Sequence, residues 1–328
     1  MRDLVVSDIH ATPDELKDVD ALMRLILESI KTHRPKRTIF LGDLHHTFAV
    51  TNVKVMGFYR EWFKQLNPLT DVIALVGNHD MPGTGAQNPH ALLAYEDLVK
   101  VVDTPIRLGD SLFLPYYADH AEFHKAVDEV VAFYKNKATP IERIYCHQEF
   151  NGAAYDNGFF APHGADPEKM PVPTISGHIH TPQKLGKVWY PGAPRWRTVS
   201  DANIDRHIYL LDERGDVAIP TGDHCKRIWT TKIVEGGPDV KAPPKNDKDD
   251  FRFHVEGNPA YVAIVVADIK RLNPRAKVSE ILKDKRIHVR ESDGIDVAFK
   301  KYATKFLSKN GTPPERLWER AGQLLAGA

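Results

Sequence analysis

The chain has 328 residues, 42% of them apolar and 27% charged, and its 44 lysines and arginines are balanced by 44 aspartates and glutamates. It can bury a sizeable core in one large or two moderate domains, and it is too apolar for a disordered protein. With no global positive charge, any nucleic-acid surface must be local; two cysteines, Cys146 and Cys225, exclude a disulfide framework. No secretory apolar segment follows Met1 and no apolar run could span a bilayer, so a soluble, cytoplasmic protein is expected.

Leu4 to Ser7 reads as a buried strand that ends at Asp8-Ile9-His10. Thr12-Pro13-Asp14-Glu15 has the form of a capping box with proline at the first helical position, followed by Leu16, Val19, Met23, Ile26 and Ile30 at helical spacing. Thr38 to Leu41 is a second strand ending at Gly42-Asp43, Val53 to Leu66 a second helix, and Asp71 to Val76 a third strand ending at Gly77-Asn78-His79-Asp80. This rhythm implies a largely parallel sheet with helices on its faces. A helix is expected from Asn88-Pro89 through Leu98, a hairpin around Gly109-Asp110, and a helix over Ala121 to Tyr134. Strands then follow at Glu142 to Cys146, Pro173 to Ser176, Val188 to Tyr190 and His207 to Leu211.

Glu235 to Asp250 breaks the pattern with Gly236-Gly237-Pro238, Pro243-Pro244 and a charge run, the composition of a linker. Beyond it the sequence predicts a strand over Tyr261 to Val266, a helix over Val278 to Lys283, a strand over Ile287 to Val289, and two closing helices. Phe251 to Ala328 holds 15 lysines and arginines against 9 acidic residues, an excess of six, so the preceding part carries the compensating negative charge.

Five apolar strands end in polar clusters: Asp8-x-His10, Gly42-Asp43-x-x-His46, Gly77-Asn78-His79-Asp80, His147, and Gly177-His178-x-His180. Any one alone is an ordinary turn or a core histidine; five in order, each directly after a strand, point to a site. In open α/β sheets side chains from separate strands converge beyond the carboxyl ends of the strands. Carboxylate, imidazole and amide oxygen together suit Mn²⁺, Fe or Zn²⁺. Asp8, His10, Asp43, Asn78, His147, His178 and His180 are too many for one ion and right for two that share Asp43.

These motifs resemble those of the calcineurin-like metallophosphoesterases, which read D-x-H, G-D-x-x-[HDR], G-N-H-[DE], H and G-H-x-H; all five are present between residues 8 and 180. The resemblance implies an α/β fold, a β-sandwich flanked by helices. It implies one ion held by Asp8, His10, Asp43 and His180, and a second held by Asp43, Asn78, His147 and His178. It further implies in-line attack on phosphorus by a hydroxide bridging the ions. His79 would face the phosphate, with Asp80 orienting it.

Departures within the motifs narrow the subfamily. The protein Ser/Thr phosphatases carry an arginine where His46 stands and a glutamate where Asp80 stands. Class III cyclic-nucleotide phosphodiesterases show His-His-Pro-Pro where this chain has Cys146-His147-Gln148, and lipid A precursor hydrolases replace His79 by arginine. What remains resembles the Mre11/SbcD nucleases, especially short phage recombination-nuclease subunits, through His46, His147-Gln148, Gly177-His178-Ile179-His180-Thr181-Pro182-Gln183 and Tyr190-Pro191-Gly192-Ala193-Pro194. His45 departs from the aromatic residue more usual in that family and leaves open which of His45 and His46 is functional, with the spacing favouring His46. The resemblance implies a manganese-dependent DNA exonuclease for DNA repair and recombination, with His46 and His79 acting on the scissile diester.

It also implies a domain plan: a nuclease domain over 1–234, a linker over 235–250, a small α+β capping domain over 251–290, and C-terminal helices over 291–328. Stripes at Ile295, Ala298, Phe299, Tyr302 and Phe306, and at Leu317, Trp318, Ala321, Leu324 and Leu325, would dock on an SbcC/Rad50-like coiled-coil ATPase. A homodimer and DNA are the other partners implied. Lys184, Lys187, Arg195, Arg197 and Arg206 are candidates for DNA phosphate contacts. The alternatives are an esterase for small phosphomono- or diesters, and a DNA-end-binding scaffold without catalysis.

Overall fold

The structure, a computed structural model, describes residues 2–48, 50–83, 89–238 and 248–282. Two six-stranded mixed sheets form the larger of two compact units. The first sheet holds β1 (Asp3–Val6), β2 (Arg37–Phe40), β3 (Asp71–Leu75) and β4 (Lys100–Val102) in parallel; β11 (His207–Leu211) runs antiparallel beside β1, and β12 (Val217–Pro220) lies at the edge. The second is ordered β5 (Ile106–Leu108), β6 (Ser111–Phe113), β7 (Arg143–His147), β8 (Thr174–Gly177), β10 (Val188–Tyr190), β9 (Gln183–Leu185), with β6, β7, β8 and β10 parallel.

The strands read as unbroken apolar runs because both of their faces are covered. From β1 and β3, Val5, Ile73 and Leu75 join Ile39 and Leu41 against Phe113, Tyr145 and Ile175 of the opposite sheet. Their alternates Leu4, Val6, Phe40, Val72 and Ala74 pack under α1 (Leu16–His33) and α2 (Val53–Leu66). On the outer face of the second sheet, α3 (His120–Asn136) lays Phe123 and Val127 on Leu112, Leu114, Ile144 and Cys146. The result is a helix-flanked β-sandwich, as the motifs imply. Far from the polar strand ends, Asp3 ties the sheets together: its carboxylate accepts from Arg37 Nε at 2.8 Å and from Tyr145 Oη at 2.7 Å.

Several local expectations need correction. The capping box at Thr12 does not start α1; residues 13–15 form a turn, and the helix begins at Leu16 with Glu15 as its N-cap, without a side-chain cap bond. Glu15 instead turns to arginines from a distant loop. The helix expected through Leu98 is a short 3₁₀ segment, Ala91–Tyr95, and Asn88 lies outside the described residues. The tail is inverted relative to its sequence pattern. The β-branched run Tyr261 to Val266 lies inside a helix, α4 (Pro259–Leu272), because the Asn258 side chain caps the Tyr261 amide at 3.0 Å and Pro259 presets the first turn. The predicted helix at Val278 is a strand, β15 (Lys277–Leu282), in a sheet ordered β13 (Ile228–Val234), β14 (Asp250–Gly257), β15. β14 shows period-two burial, with Phe251, Phe253 and Val255 on its buried face. The second compact unit comprises residues 232–239, 254–274 and 278 onward. Ile287 to Val289 and both C-terminal stripes lie outside the described residues, as does most of the linker. No helix among the described residues is long and apolar enough to cross a membrane.

Candidate metal centre

β1, β2 and β3 of one sheet and β7 and β8 of the other deliver their C-terminal residues to a common edge. The turns there are sharp: Asp8, His10, Asp43 and His178 all have left-handed backbones, with φ of 39°, 49°, 52° and 84°. Such conformations disfavour side-chain-bearing residues and are held only where the surroundings impose them. Two motif glycines make room for the ligands. A Cβ on Gly77 would collide with the Asp43 carboxylate, and one on Gly177 would come within 2.7 Å of His147 Nδ1.

All seven candidate ligands meet here. His10 Nε2 lies 2.9 Å from His180 Nε2 and 3.4 Å from Asp43 Oδ2. Asp8 closes this group, within reach of both imidazoles. On the other side of Asp43, its Oδ2 is 3.4 Å from His147 Nε2, while Asn78 Oδ1 is 3.0 Å from His147 Nε2 and 2.8 Å from His178 Nδ1. Asp43 thus stands between the two groups.

Outer contacts set the orientation of these donors. His147 Nδ1 donates to the Leu41 carbonyl at 2.7 Å, which turns Nε2 toward Asp43. Asp8 Oδ1 accepts the His178 amide at 2.9 Å, linking the first motif to the last. His180 Nδ1 lies 3.6 Å from Asp156 Oδ2, a partner that no motif announces, since it comes from a loop 24 residues upstream of His180.

The donor set fits divalent ions. Lone-pair-bearing nitrogens and oxygens face one another at 2.8 to 3.4 Å in a buried site, and the His10 Nδ1 atom has no partner. A cation between them would convert mutual repulsion into coordination, and nitrogen and oxygen donors match Mn²⁺, Fe or Zn²⁺. Cys146 is no ligand; it packs under α3, and burial pushes its thiol up to about 12. Burial lifts Asp43, but His147 and His10 pull it below the usual carboxylate range. Burial depresses His147, yet the charge and hydrogen bond of Asp43 raise it to about 9. Burial and His147 hold His178 down to about 3.

His79 and His46 stand beside this cluster. Their rings are stacked, 5.5 Å apart at 11°, and His10 is edge-on to His79 at 4.6 Å and to His46 at 5.5 Å. His79 Nδ1 bonds the His46 carbonyl at 2.7 Å, which leaves Nε2 for the site, and the His79 amide donates to Asp43 Oδ1 at 2.8 Å. Positions 45 and 46 differ in burial and surroundings. His45 is a core residue bonded to Tyr95 Oη at 2.9 Å, and burial lowers it to about 4; His46 faces His79.

Asp80 is a correction. It does not touch the His79 ring. Its carboxylate, 1% exposed, accepts the amides of Asp43 at 2.8 Å, Gly77 at 3.0 Å and His45 at 3.0 Å. Asp80 therefore fastens the second motif to the third. Burial and the nearby Asp43 charge raise it to about 7, against the pull of those amides.

Two of the basic candidates are also corrected. Arg195, 1% exposed, donates to the Ile9 and His10 carbonyls and pairs with Glu15 at 2.9 Å and Asp18 at 3.4 Å. Arg206 is buried against Asp201 at 2.7 Å and the His180 carbonyl. Both brace the ligand loops and neither faces solvent. Arg197 does reach the site, with Nη1 at 3.2 Å from His46 Nδ1. Lys184 lies exposed, 6.0 Å from the centre of the Trp189 ring, and Lys187 caps the Met170 and Pro171 carbonyls. Sequence reading also missed Phe48, half exposed, whose ring lies 3.9 Å from that of His79. Only an aromatic two residues after His46 hinted at it.

A helix-flanked sandwich that presents carboxylates, imidazoles and an amide at one edge offers a donor set suited to divalent metal ions. The chain belongs to the calcineurin-like phosphoesterase family, whose sequence model matches residues 1–182, and this family uses divalent metals. Among solved structures, the chain is similar to YfcE, a phosphoesterase from E. coli, at 15% identity over 68% of this chain and 95% of that one, with a TM-score of 0.32. It is also similar to the nuclease MPE of Pseudomonas putida, at 16% identity over 66% of this chain and 87% of that one, with a TM-score of 0.31. No curated protein matches the chain.

Proposed function

We propose that the protein is a manganese-dependent phosphodiesterase acting on DNA, the nuclease subunit of an SbcCD/Mre11-Rad50-like complex. The observation that carries this reading is the stacked His46–His79 pair beside the ligand cluster, with Arg197 bonded to His46. It gives a diester two imidazoles and a guanidinium in addition to the metal donors.

Asp8, His10, Asp43 and His180 would hold one ion, and Asp43, Asn78, His147 and His178 the other. Bound divalent ions supply Lewis acidity and activated water at neutral pH. His79, fixed through Nδ1, aims Nε2 at the leaving oxygen and donates a proton or stabilises its charge. Arg197 donates to His46 Nδ1, which keeps that imidazole neutral, with its Nε2–H free for a phosphate oxygen. Burial, Arg197 and His79 all lower the basicity of His46, in keeping with a neutral donor.

In this reading residues 251–290 form a cap, residues 291–328 dock a coiled-coil ATPase, and the subunit works as a cytoplasmic homodimer. Purified protein with Mn²⁺ should release nucleotides from linear DNA, and Asp43→Ala or His79→Ala should abolish release. Intact DNA across a metal panel, with the ATPase supplied and a chromogenic bis-ester cleaved, would refute the nuclease assignment. One observation favours the second reading, an esterase for small substrates. A cavity of about 340 Å³ lined by Tyr155, Asn157, His178 and His180 is of small-ligand size.

A further inference from the structure

A trough of about 540 Å³ opens beside the metal centre, and no motif falls on its outer wall. Arg197, the same side chain that bonds His46, lines it. Its other lining residues include the first turn of α1 and the starts of β14 and β15, and all of them belong to the larger compact unit. Leaving aside the buried Arg195, its walls carry six lysine and arginine side chains against four carboxylates.

The imbalance is concentrated at one point. A single oxygen, Asp250 Oδ2, takes Arg252 and Lys277 at 3.0 Å each and Lys226 at 3.8 Å. One carboxylate cannot neutralise three cations. Of the other three acids only Asp14 is exposed; Glu15 is engaged with Arg195 and Arg197, and Asp18 with Arg195 and the Lys226 amide. Lys226 and Lys277 keep about half or more of their side chains in solvent, so they can turn to an incoming anion. A concave site with surplus positive charge and half-exposed lysines suits repeated phosphates better than a single carboxylate or an apolar ligand.

We propose that this trough binds the sugar-phosphate backbone of a nucleic-acid strand whose scissile phosphate lies at the metal centre, with Arg197 at the junction. The proposal rests on the nuclease reading for the identity of the polyanion. It assigns to Lys226 and Lys277 two phosphate contacts that serve long substrates and leave small esters unaffected.

The test is fluorescence anisotropy of the full-length protein with a labelled single-stranded oligonucleotide over a salt series, in EDTA to prevent turnover. Losing two phosphate contacts should reduce the slope of log K against log[salt] by about 1.4, and so weaken binding about 25-fold near 0.1 M salt. That is the expectation for Lys226→Gln/Lys277→Gln, with chromogenic bis-ester hydrolysis in Mn²⁺ unchanged. Asp14→Asn, which removes an exposed carboxylate from the wall, should tighten binding, a result that a misfolded variant cannot give. Wild-type affinity and salt slope in the double variant would overturn the proposal. DNA left intact by wild-type protein across a metal panel with the ATPase supplied would refute the nuclease reading separately, because the anisotropy still decides whether the trough takes the strand.

Discussion

Replacing Asp80 by alanine removes one acceptor from three backbone amides at once. The carboxylate is buried and bonded to the amides of Asp43, His45 and Gly77 at 2.8 to 3.0 Å. Each orphaned buried donor costs about 1–3 kcal/mol. Three would cost roughly 3–9 kcal/mol if the loops stayed fixed, and partial access to water puts the expectation at about 3–5 kcal/mol. Against a total stability of about 5–15 kcal/mol, this is a large fraction. For a unit of this size it corresponds to a fall in Tm of roughly 6–20 °C. Asp80→Asn keeps one accepting oxygen but turns an NH₂ group toward an amide donor, so about 1.5–3 kcal/mol should be lost. Scanning calorimetry of both variants, with and without Mn²⁺, measures this directly. The metal-induced rise in Tm should also shrink, because the bonded amides frame Asp43 and Asn78. Unfolding of Asp80→Ala within about 0.5 kcal/mol of wild type would refute the fastening role, since that is the scale of an ordinary surface change.

Three other outcomes follow from the same geometry. Gly77→Ala drives a methyl group into the Asp43 carboxylate, so Mn²⁺ affinity measured by calorimetric titration should drop at least tenfold; unchanged affinity would contradict the packing. Arg195→Ala removes the buried cation that Glu15 and Asp18 share, leaving Glu15 with Arg197 and Asp18 with the Lys226 amide, and chemical denaturation should show a loss of about 3 kcal/mol. A loss below about 1 kcal/mol would mean that Arg195 is solvated. Burial lifts Glu15, but Arg195 and Arg197 outweigh it and hold the carboxyl below its ordinary value of 4.5. Its contribution is therefore complete above that pH and is lost as pH falls through the lower folded value. In urea titrations between pH 6 and 3, Glu15→Gln should flatten part of that decline, and parallel curves for the two proteins would exclude the linkage.

What the chain reveals without a structure is uneven, for physical reasons. Ligands sit directly after strands, where an apolar run stops at a glycine and polar residues begin, so Asp8, Asp43, Asn78, His147 and His178 stand out in sequence. Their outer partners do not, because Asp156, the Leu41 carbonyl and the amides around Asp80 are brought close only by folding. Arg195 and Arg206 look like surface cations in a loop, yet each is buried by a carboxylate distant or hidden in sequence. The tail misled the reading because Tyr261 to Val266 is β-branched while Val278 to Leu282 is not strongly so. A capping asparagine before proline and pairing with a neighbouring strand outweighed those weak propensities. His45 and His46 are adjacent and chemically identical, and only folding sets them apart, with His45 buried on the Tyr95 hydroxyl and His46 between His79 and Arg197.

The central claim is that Asp43 joins two metal positions at the meeting edge of the two sheets. Isothermal titration of metal-stripped protein with Mn²⁺ tests it most directly. Two equivalents per chain are expected for wild type, and Asp43→Asn should weaken both by at least tenfold. A single equivalent in wild type, or two retained at full affinity in Asp43→Asn, would contradict the account.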